Sequence, residues 1–457
     1  MKQYTIGIDY GTDSARAVLV DVYDGSIIAS AVKAYPRWAE RRWCDPLTQQ
    51  FRQHPLDYIE CLGGVLREVV AACPDPSCIK AIAVDTTGST VCFTDAEGGP
   101  LSLRPAFAED PDAMFILWKD HTGTAEAEEF TAAGARHTPN YICQSGNHYS
   151  AECTWAKVLH VLRTNAAVRE KAYAFVDECD FVTNLLTGCR SFEGMRWGHC
   201  IPGAKQLWNR DWGGYPPEWF FEEIDPLLIP VLRRIPQVNY ACSNAAGTLC
   251  PEWAAKLGLG TDVVVGVGNC DAHSGAVGAG VRPGVAVLNL GTSACYMAVM
   301  PVEEMKGHFI EGLFGQSEGT ILEGYMGYET GLSAFGDIFA WFKRLTGRPL
   351  DELAAEAGQI ALREDLPLAT DFFNGRRAPN PSNTVTANIA GLRITTGPAE
   401  IYRALVEAAA FGSKACIDQY LDGGIRIDKM IAVGGIAKKS RSEEHTSELQ
   451  SHLNLVC

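Results

Sequence analysis

The sequence predicts an α/β fold built from two related domains. Three observations carry that reading. Apolar runs with strand alternation are interleaved with stretches of helical periodicity. The pattern strand, Gly-Thr turn, strand occurs twice, around Gly11 and around Gly291. The chain has 457 residues and 47% apolar content, enough for two or three cored domains at about 100–200 residues each.

The elements follow in order. Residues 4–9 alternate as a strand, Gly11-Thr12-Asp13 turns, and residues 15–21 return, so the start is a hairpin. Helical spacing marks residues 59–72 and 125–135. Residues 79–85 (IKAIAVD) form a buried strand that runs into the polar loop TTGST. Residues 196–226, rich in Trp, Gly and Pro, are expected to be irregular. A second apolar strand, residues 263–267, precedes GNCDAHSGAVGAG. Residues 285–300 then repeat the opening, with NLGTSACYMAV matching IDYGTDSARAVLV. Helices are expected over 332–345 and 400–420, followed by a strand at 429–433 and Gly434-Gly435. The domains are placed at 1–283 and 284–440. From Arg441 the segment RSEEHTSELQSHLNLVC abandons the alternation and reads as a translated sequencing adapter. It is set aside as a non-native tail, which leaves the second domain incomplete and a strand edge exposed near 429–433.

Composition excludes several function classes. A net charge of −16 opposes nucleic-acid backbones and anionic membranes. No stretch approaches about 18 uninterrupted apolar residues, so no membrane span is expected. The opening MKQYTIGIDYG lacks a signal-peptide core, and the chain is expected in the cytoplasm. The 16 cysteines include no C-x-x-C pair and read as small buried residues rather than a zinc or disulfide framework. Cys200, Cys270 and Cys295 stand out for their positions, not for sulfur chemistry.

The chemistry concentrates in a few places. Backbone binding of phosphate needs glycine, because N–H groups must approach anionic oxygens closely. The matching turns Gly11-Thr12 and Gly291-Thr292-Ser293 fit that need, whereas no Walker A or G-x-G-x-x-G loop occupies the required context. Asp9 stands beside the first turn where the second has Asn289. A carboxylate there implies either a hydrated Mg²⁺ or a side chain bonding the turn amides. Asp271, after a buried strand and among small neighbours, is the leading general base, with His273 competing. Gly88, Lys119, Asp120, Lys205 and Glu329 lie in segments read as pocket loops, and their donor and acceptor mix suits a polyol.

These motifs together resemble the FGGY carbohydrate kinases. IGIDYGTDSARA, the Asp271 segment, NLGTS and AVGGIAKKS match the family's style. YPRW, FRQHPLDYIE, VDTTGST, FAEDPDAMFILWKDHT, GYETGLSAFGDIFAWF and DFFNGRRAPN resemble the branch that phosphorylates ribulose. The resemblance implies two actin-like ATPase (ribonuclease H-like) domains, with nucleotide and sugar meeting in a cleft between them. It implies Asp271 as base, and Gly88, Lys205 and Glu329 around the pentulose with Lys119 and Asp120 nearby. Gly11, Thr12, Gly291 and Thr292 would face the ATP phosphates, Gly434 and Gly435 the adenosine, and Asp9 the Mg²⁺. The implied reaction is ATP plus L-ribulose giving L-ribulose 5-phosphate and ADP, in arabinose catabolism. D-ribulose, xylulose, ribitol and glycerol remain alternative substrates, and a homodimer is left open. A filament protein or chaperone ATPase of the same fold would need no polyol pocket, and an inactive fragment would bind without turnover.

Overall fold

The computed structural model describes residues 2–436 apart from Lys306 and Leu362, so the expectations for residues 441–457 lie outside it. The chain divides into two compact units. The first comprises Met1–Ile142, Ala151–Ser274 and Ser317–Glu323; the second comprises Cys143–Ser150, Gly275–Gln316 and the chain from Gly324 on. The division expected after residue 283 falls earlier, between Ser274 and Gly275, and two short segments are exchanged.

In the first unit, β1 (Tyr4–Tyr10) pairs antiparallel with β2 (Ser14–Asp21), and β2 with β3 (Ile27–Ala34). Tyr4, Ile6, Ile8 and Tyr10 are buried while the residues between them are half-buried, the period-2 signature of a strand with one covered face. Helix α1 (Pro55–Ala71) covers β2 and β3 with Leu62, Val65, Leu66 and Val69. It begins four residues before the periodic stretch because Pro55 fixes the first turn and His54 Nδ1 accepts from Leu56 N at 3.1 Å. On the other side of β1, β4 (Ile79–Thr86) runs parallel to it. Helices α2 (Thr154–Thr164) and α3 (Cys200–Lys205) follow, then β5 (Ala245–Thr248), β6 (Val264–Gly266) and β7 (Asn269–Cys270). The sheet order is β5-β6-β4-β1-β2-β3, with β7 also pairing to β4. The region 196–226 is less irregular than expected, since it holds α3 and a helix at Glu218–Ile224.

A second sheet in this unit joins Cys44–Asp45, Gln50–Gln53, Phe115–Ile116, Val91–Thr94 and Ala174–Asp177. Its anchor is an ion pair between two fully buried side chains. Arg52 donates to Asp120 Oδ2 at 2.7 Å, and the same oxygen accepts from Phe51 N at 2.7 Å. Asp120 Oδ1 accepts from Thr122 N and Thr122 Oγ1.

Helix α4 (Asp271–Gly278) spans the division. The second unit repeats the first topology. Strand β8 (Gly284–Leu290) pairs antiparallel with β9 (Ala294–Pro301), β9 with β10 (Tyr325–Leu332), and β8 parallel with β11 (Ile427–Val433). The order β10-β9-β8-β11 therefore matches β3-β2-β1-β4. Helices α5 (Gly336–Thr346) and α6 (Pro398–Asp422) pack on this sheet, burying Ile338, Phe342, Leu405 and Tyr420 against Leu288, Tyr296 and Tyr328. The helix expected from residue 332 starts at Gly336, because Leu332 still pairs with Ala294 in the strand ladder. Among the described residues, no helix is long and apolar enough to cross a membrane.

Removing one partner of the Arg52–Asp120 pair leaves an uncompensated buried charge. Arg52→Met is expected to lower unfolding free energy by about 3–5 kcal/mol. Urea unfolding measures this, and a loss below about 1 kcal/mol, the range of an exposed pair, contradicts it.

Candidate active site

Strands β1, β4 and β7 are parallel, and their register sets Asp9 opposite Asp85 and Asp85 opposite Asn269. Their carboxyl ends thus finish at one edge of the sheet. Ligand sites of open α/β sheets form outside that edge. Three carboxylates meet there: Asp9, Asp85 and Asp271, the last opening α4 directly after β7.

Their acidities differ from that of a free aspartate, with burial the largest cause in each. Burial raises the Asp9 carboxyl, against the lowering effect of Arg16, whose guanidinium is 3.4 Å away. Asp9 does not bond the turn amide as one reading proposed; Gly11 N donates to Ser14 O at 3.0 Å instead. Burial, then the charges of Asp9 and Asp271, push Asp85 well above the usual range. Burial followed by Asp9 raises Asp271 to about 6, while hydrogen bonds from Ala272 N and the Cys270 thiol oppose the shift. A carboxylate of that acidity is ionised at neutral pH yet more basic than an ordinary aspartate. His273, the competitor, is 2% exposed, and its Nδ1 lies 3.0 Å from Thr320 O and 2.9 Å from Cys200 Sγ. That nitrogen is engaged inside the protein, whereas Asp271 is half-buried.

Gly88 lies in the loop after β4. A Cβ on it would sit 2.8 Å from Cys270 Sγ and 3.3 Å from Ile201 Cδ1, so only glycine lets this loop lie against β7 and α3. Lys205 is the buried last residue of α3 rather than a loop residue. Gly88, Lys205 and Asp271 are therefore carried by elements in mutual contact.

Lys119 and Asp120 belong to a different cluster. Both Asp120 oxygens are engaged by Arg52, Phe51 and Thr122, a finding at odds with an open sugar-binding role. Lys119 Nζ sits about 5 Å from the ring centres of Trp38 and Phe51. Their neighbours Trp38, Gln53 and Trp118 brace the first Gly-Thr turn. The Trp38 indole donates to Asp13 Oδ1 at 2.7 Å, Gln53 Nε2 to Thr12 O at 2.7 Å, and the Trp118 indole to Thr12 Oγ1 at 3.3 Å. Sequence reasoning missed Trp38 and Gln53 as supports, since nothing local links them to residues 12 and 13.

In the second unit, Gly291 N donates to Ser293 O at 3.0 Å, a closure one residue tighter than that of Gly11 N on Ser14 O. The carbonyls of Gly291 and Thr292 accept from the N–H groups of residues 335–337. The Gly-Thr turn therefore sits at the amino end of α5, whose positive dipole end favours an anion. Gly434 meets a requirement of the fold itself. Its φ is +103°, and a Cβ would lie 2.5 Å from Leu290 O, so the chain's own packing demands this glycine before any base does. Gly435 has nothing within 4 Å in that direction. Glu329 is also not in a loop. It lies buried in the middle of β10 opposite Met297, although Gly327 and Gly331 beside it read as strand breakers.

Among the described residues, no set of three His, Cys, Asp or Glu side chains could hold a metal alone. A divalent ion that keeps its waters and binds through one carboxylate and phosphate oxygens fits half-exposed Asp9 better than an all-protein cage does. Cavities of about 560 and 800 Å³ lie elsewhere, lined by His308–Glu311 with Asp418–Gly423 and by Asp95, Phe107 and Tyr173 respectively, and contain no candidate residue.

Residues 4–278 match the FGGY family of carbohydrate kinases, N-terminal domain, and residues 286–442 match the C-terminal domain of the same family. The chain belongs to the FGGY family of carbohydrate kinases. It is 35% identical over 464 residues to a ribulokinase of Vibrio parahaemolyticus, covering 96% of this chain and 82% of that protein. To a ribulokinase of Geobacillus thermodenitrificans it is 34% identical over 461 residues, covering 96% and 80%. The fold matches the crystal structure of xylulose kinase from Rhodospirillum rubrum with a TM-score of 0.75 at 19% identity, covering 98% of this chain and 84% of that one. Gluconate kinase from Lactobacillus acidophilus gives 0.76 at 15% identity, with 98% and 84% covered. This FGGY kinase thus has the two-domain fold of its family and is a phosphotransferase acting with ATP and a divalent metal.

Gly434→Ala places a side chain against the Leu290 carbonyl and strains φ. It should destabilise the protein by about 1–3 kcal/mol with no nucleotide present. Unchanged urea unfolding with weakened nucleotide binding would show that the glycine serves the nucleotide instead.

Proposed function

We propose that this FGGY kinase phosphorylates L-ribulose with ATP to give L-ribulose 5-phosphate and ADP, in arabinose catabolism. The relatives named ribulokinase support the substrate, matching 96% of the chain at 34–35% identity. The observation that carries the chemistry is Asp271, half-buried at the carboxyl edge of a parallel sheet with its acidity shifted to about 6.

In this reading Asp271 accepts the proton of the sugar's primary hydroxyl. The hydroxyl oxygen bonds to the γ-phosphorus, the bond from that phosphorus to the β-phosphate oxygen breaks, and ADP leaves. Gly88, Lys205 and Glu329 bind the sugar. The turns Gly11-Thr12 and Gly291-Thr292 offer backbone N–H groups to phosphate, and Gly434 and Gly435 border the adenosine. Lys119 and Asp120 act on the first turn's support rather than on the sugar. Asp9 would hold Mg²⁺, which would supply neutralisation of phosphate charge. The base Asp271 belongs to the domain 1–283, and Gly434 and Gly435 belong to 284–440.

A coupled ADP-release assay across L-ribulose, D-ribulose, xylulose, ribitol and glycerol tests the substrate. L-ribulose should give the highest kcat/KM, and a preference for any other overturns the assignment.

Asp271→Asn should reduce kcat by at least about a hundredfold with little change in sugar affinity. The base must be ionised to act. The kcat/KM of the unmodified enzyme should therefore fall about tenfold per pH unit below about 6 and be level above it, as far as Asp271 governs it. A variant that keeps most of its kcat, or a profile level down to pH 5, removes Asp271 from that role.

A further inference from the structure

Behind the Gly88 loop lies a cation that the phosphoryl transfer does not use. Lys157, on α2, is fully buried, and its Nζ donates to Ser89 O at 2.8 Å. Among the described residues no carboxylate lies within ion-pairing distance of it. The acids around it at longer range are Asp120, Glu152 and Asp177. Asp120 is paired with Arg52, and burial raises the Asp177 carboxyl far above the usual range. Burial pushes the Lys157 ammonium down to about 8, so it is charged at neutral pH. Fold stability does not explain it, because a buried charge of this kind is commonly no better than an apolar side chain of equal volume.

The carbonyl it grips belongs to an unusual residue. Ser89 has φ +58°, the left-handed region that side chains disfavour. The loop is clamped on every side. The Ser89 hydroxyl lies 2.6 Å from Glu152 O, the Thr87 and Thr90 hydroxyls meet at 2.7 Å, and Glu178 N donates to Thr90 O at 2.9 Å. Gly88, next to Ser89, abuts Cys270, and Cys270 precedes Asp271. The charge-assisted bond at Ser89 is thus one residue from Gly88, whose neighbour Cys270 directly precedes Asp271.

We propose that Lys157 is a positioning residue for the sugar: its ammonium, through the Ser89 carbonyl, holds Gly88 against Cys270 and so sets the sugar relative to Asp271. This rests on the assignment of Gly88 to the sugar site. A charge-assisted bond is shorter and more directional than a neutral one, which suits a loop held in a strained conformation.

Lys157→Met keeps the length and removes the charge. The KM for L-ribulose should rise roughly tenfold to a hundredfold, while the KM for ATP stays within about twofold. Lys157→Gln, which retains a donor, should recover part of the loss, and it carries the same test if the Met variant does not fold. A sugar KM unchanged in the folded variant, or sugar and ATP KM rising together, overturns the proposal and makes Lys157 merely structural. Gly88→Ala, measured alongside, separates the two levels. If it leaves the sugar KM unchanged, the assignment of the loop to the sugar fails and the proposal with it. If it raises the sugar KM while the Lys157 variants do not, only the positioning role fails.

Discussion

Parallel pairing of three strands sets the level at which the chemistry can occur. Asp9, Asp85 and the start of α4 reach the same edge only because β4 is registered against both β1 and β7. A slip of one residue would turn each side chain to the opposite face. The register also creates the electrostatics. Asp271 acquires its basicity first from burial and then from the nearby Asp9 carboxylate. The loops that follow these strands can then be short, because the sheet has already aimed them.

The two units share connectivity but diverge in polarity at the matching turn. Asp9 is the last residue but one of β1, and Asn289 occupies the corresponding place in β8. The first turn is braced by indole and amide side chains from Trp38, Trp118 and Gln53. The second is braced by the backbone at the start of α5. One scaffold therefore presents a carboxylate in one copy and a helix's positive end in the other.

Much of this was legible in the sequence. Both hairpins, the strand at 79–85 and the long helix ending near residue 420 announced themselves by period, and the duplicated Gly-Thr turn pointed to the repeated topology. What escaped notice depended on partners distant in sequence. The sheet through Gln50–Gln53 is built from strands of two to four residues, too short to show alternation. Arg52 and Asp120 are 68 positions apart, and no local pattern marks either as half of a buried pair. Glu329 was misplaced because glycines on both sides signal a loop, whereas β10 continues through them. The need of the Leu290 carbonyl for glycine at 434 was likewise invisible, since the two are distant in sequence.

Of the fifteen cysteines among the described residues, only Cys242 is exposed. Nine are buried, distributed from α1 to α6. A thiol reacts as the thiolate and only where a reagent can reach it. Among the described residues the fold therefore offers an alkylating reagent few rapid sites, and slower labelling of the buried thiols must await opening of the segment concerned. The cysteine complement thus doubles as a built-in set of clocks, each reporting how often its own part of the molecule comes apart.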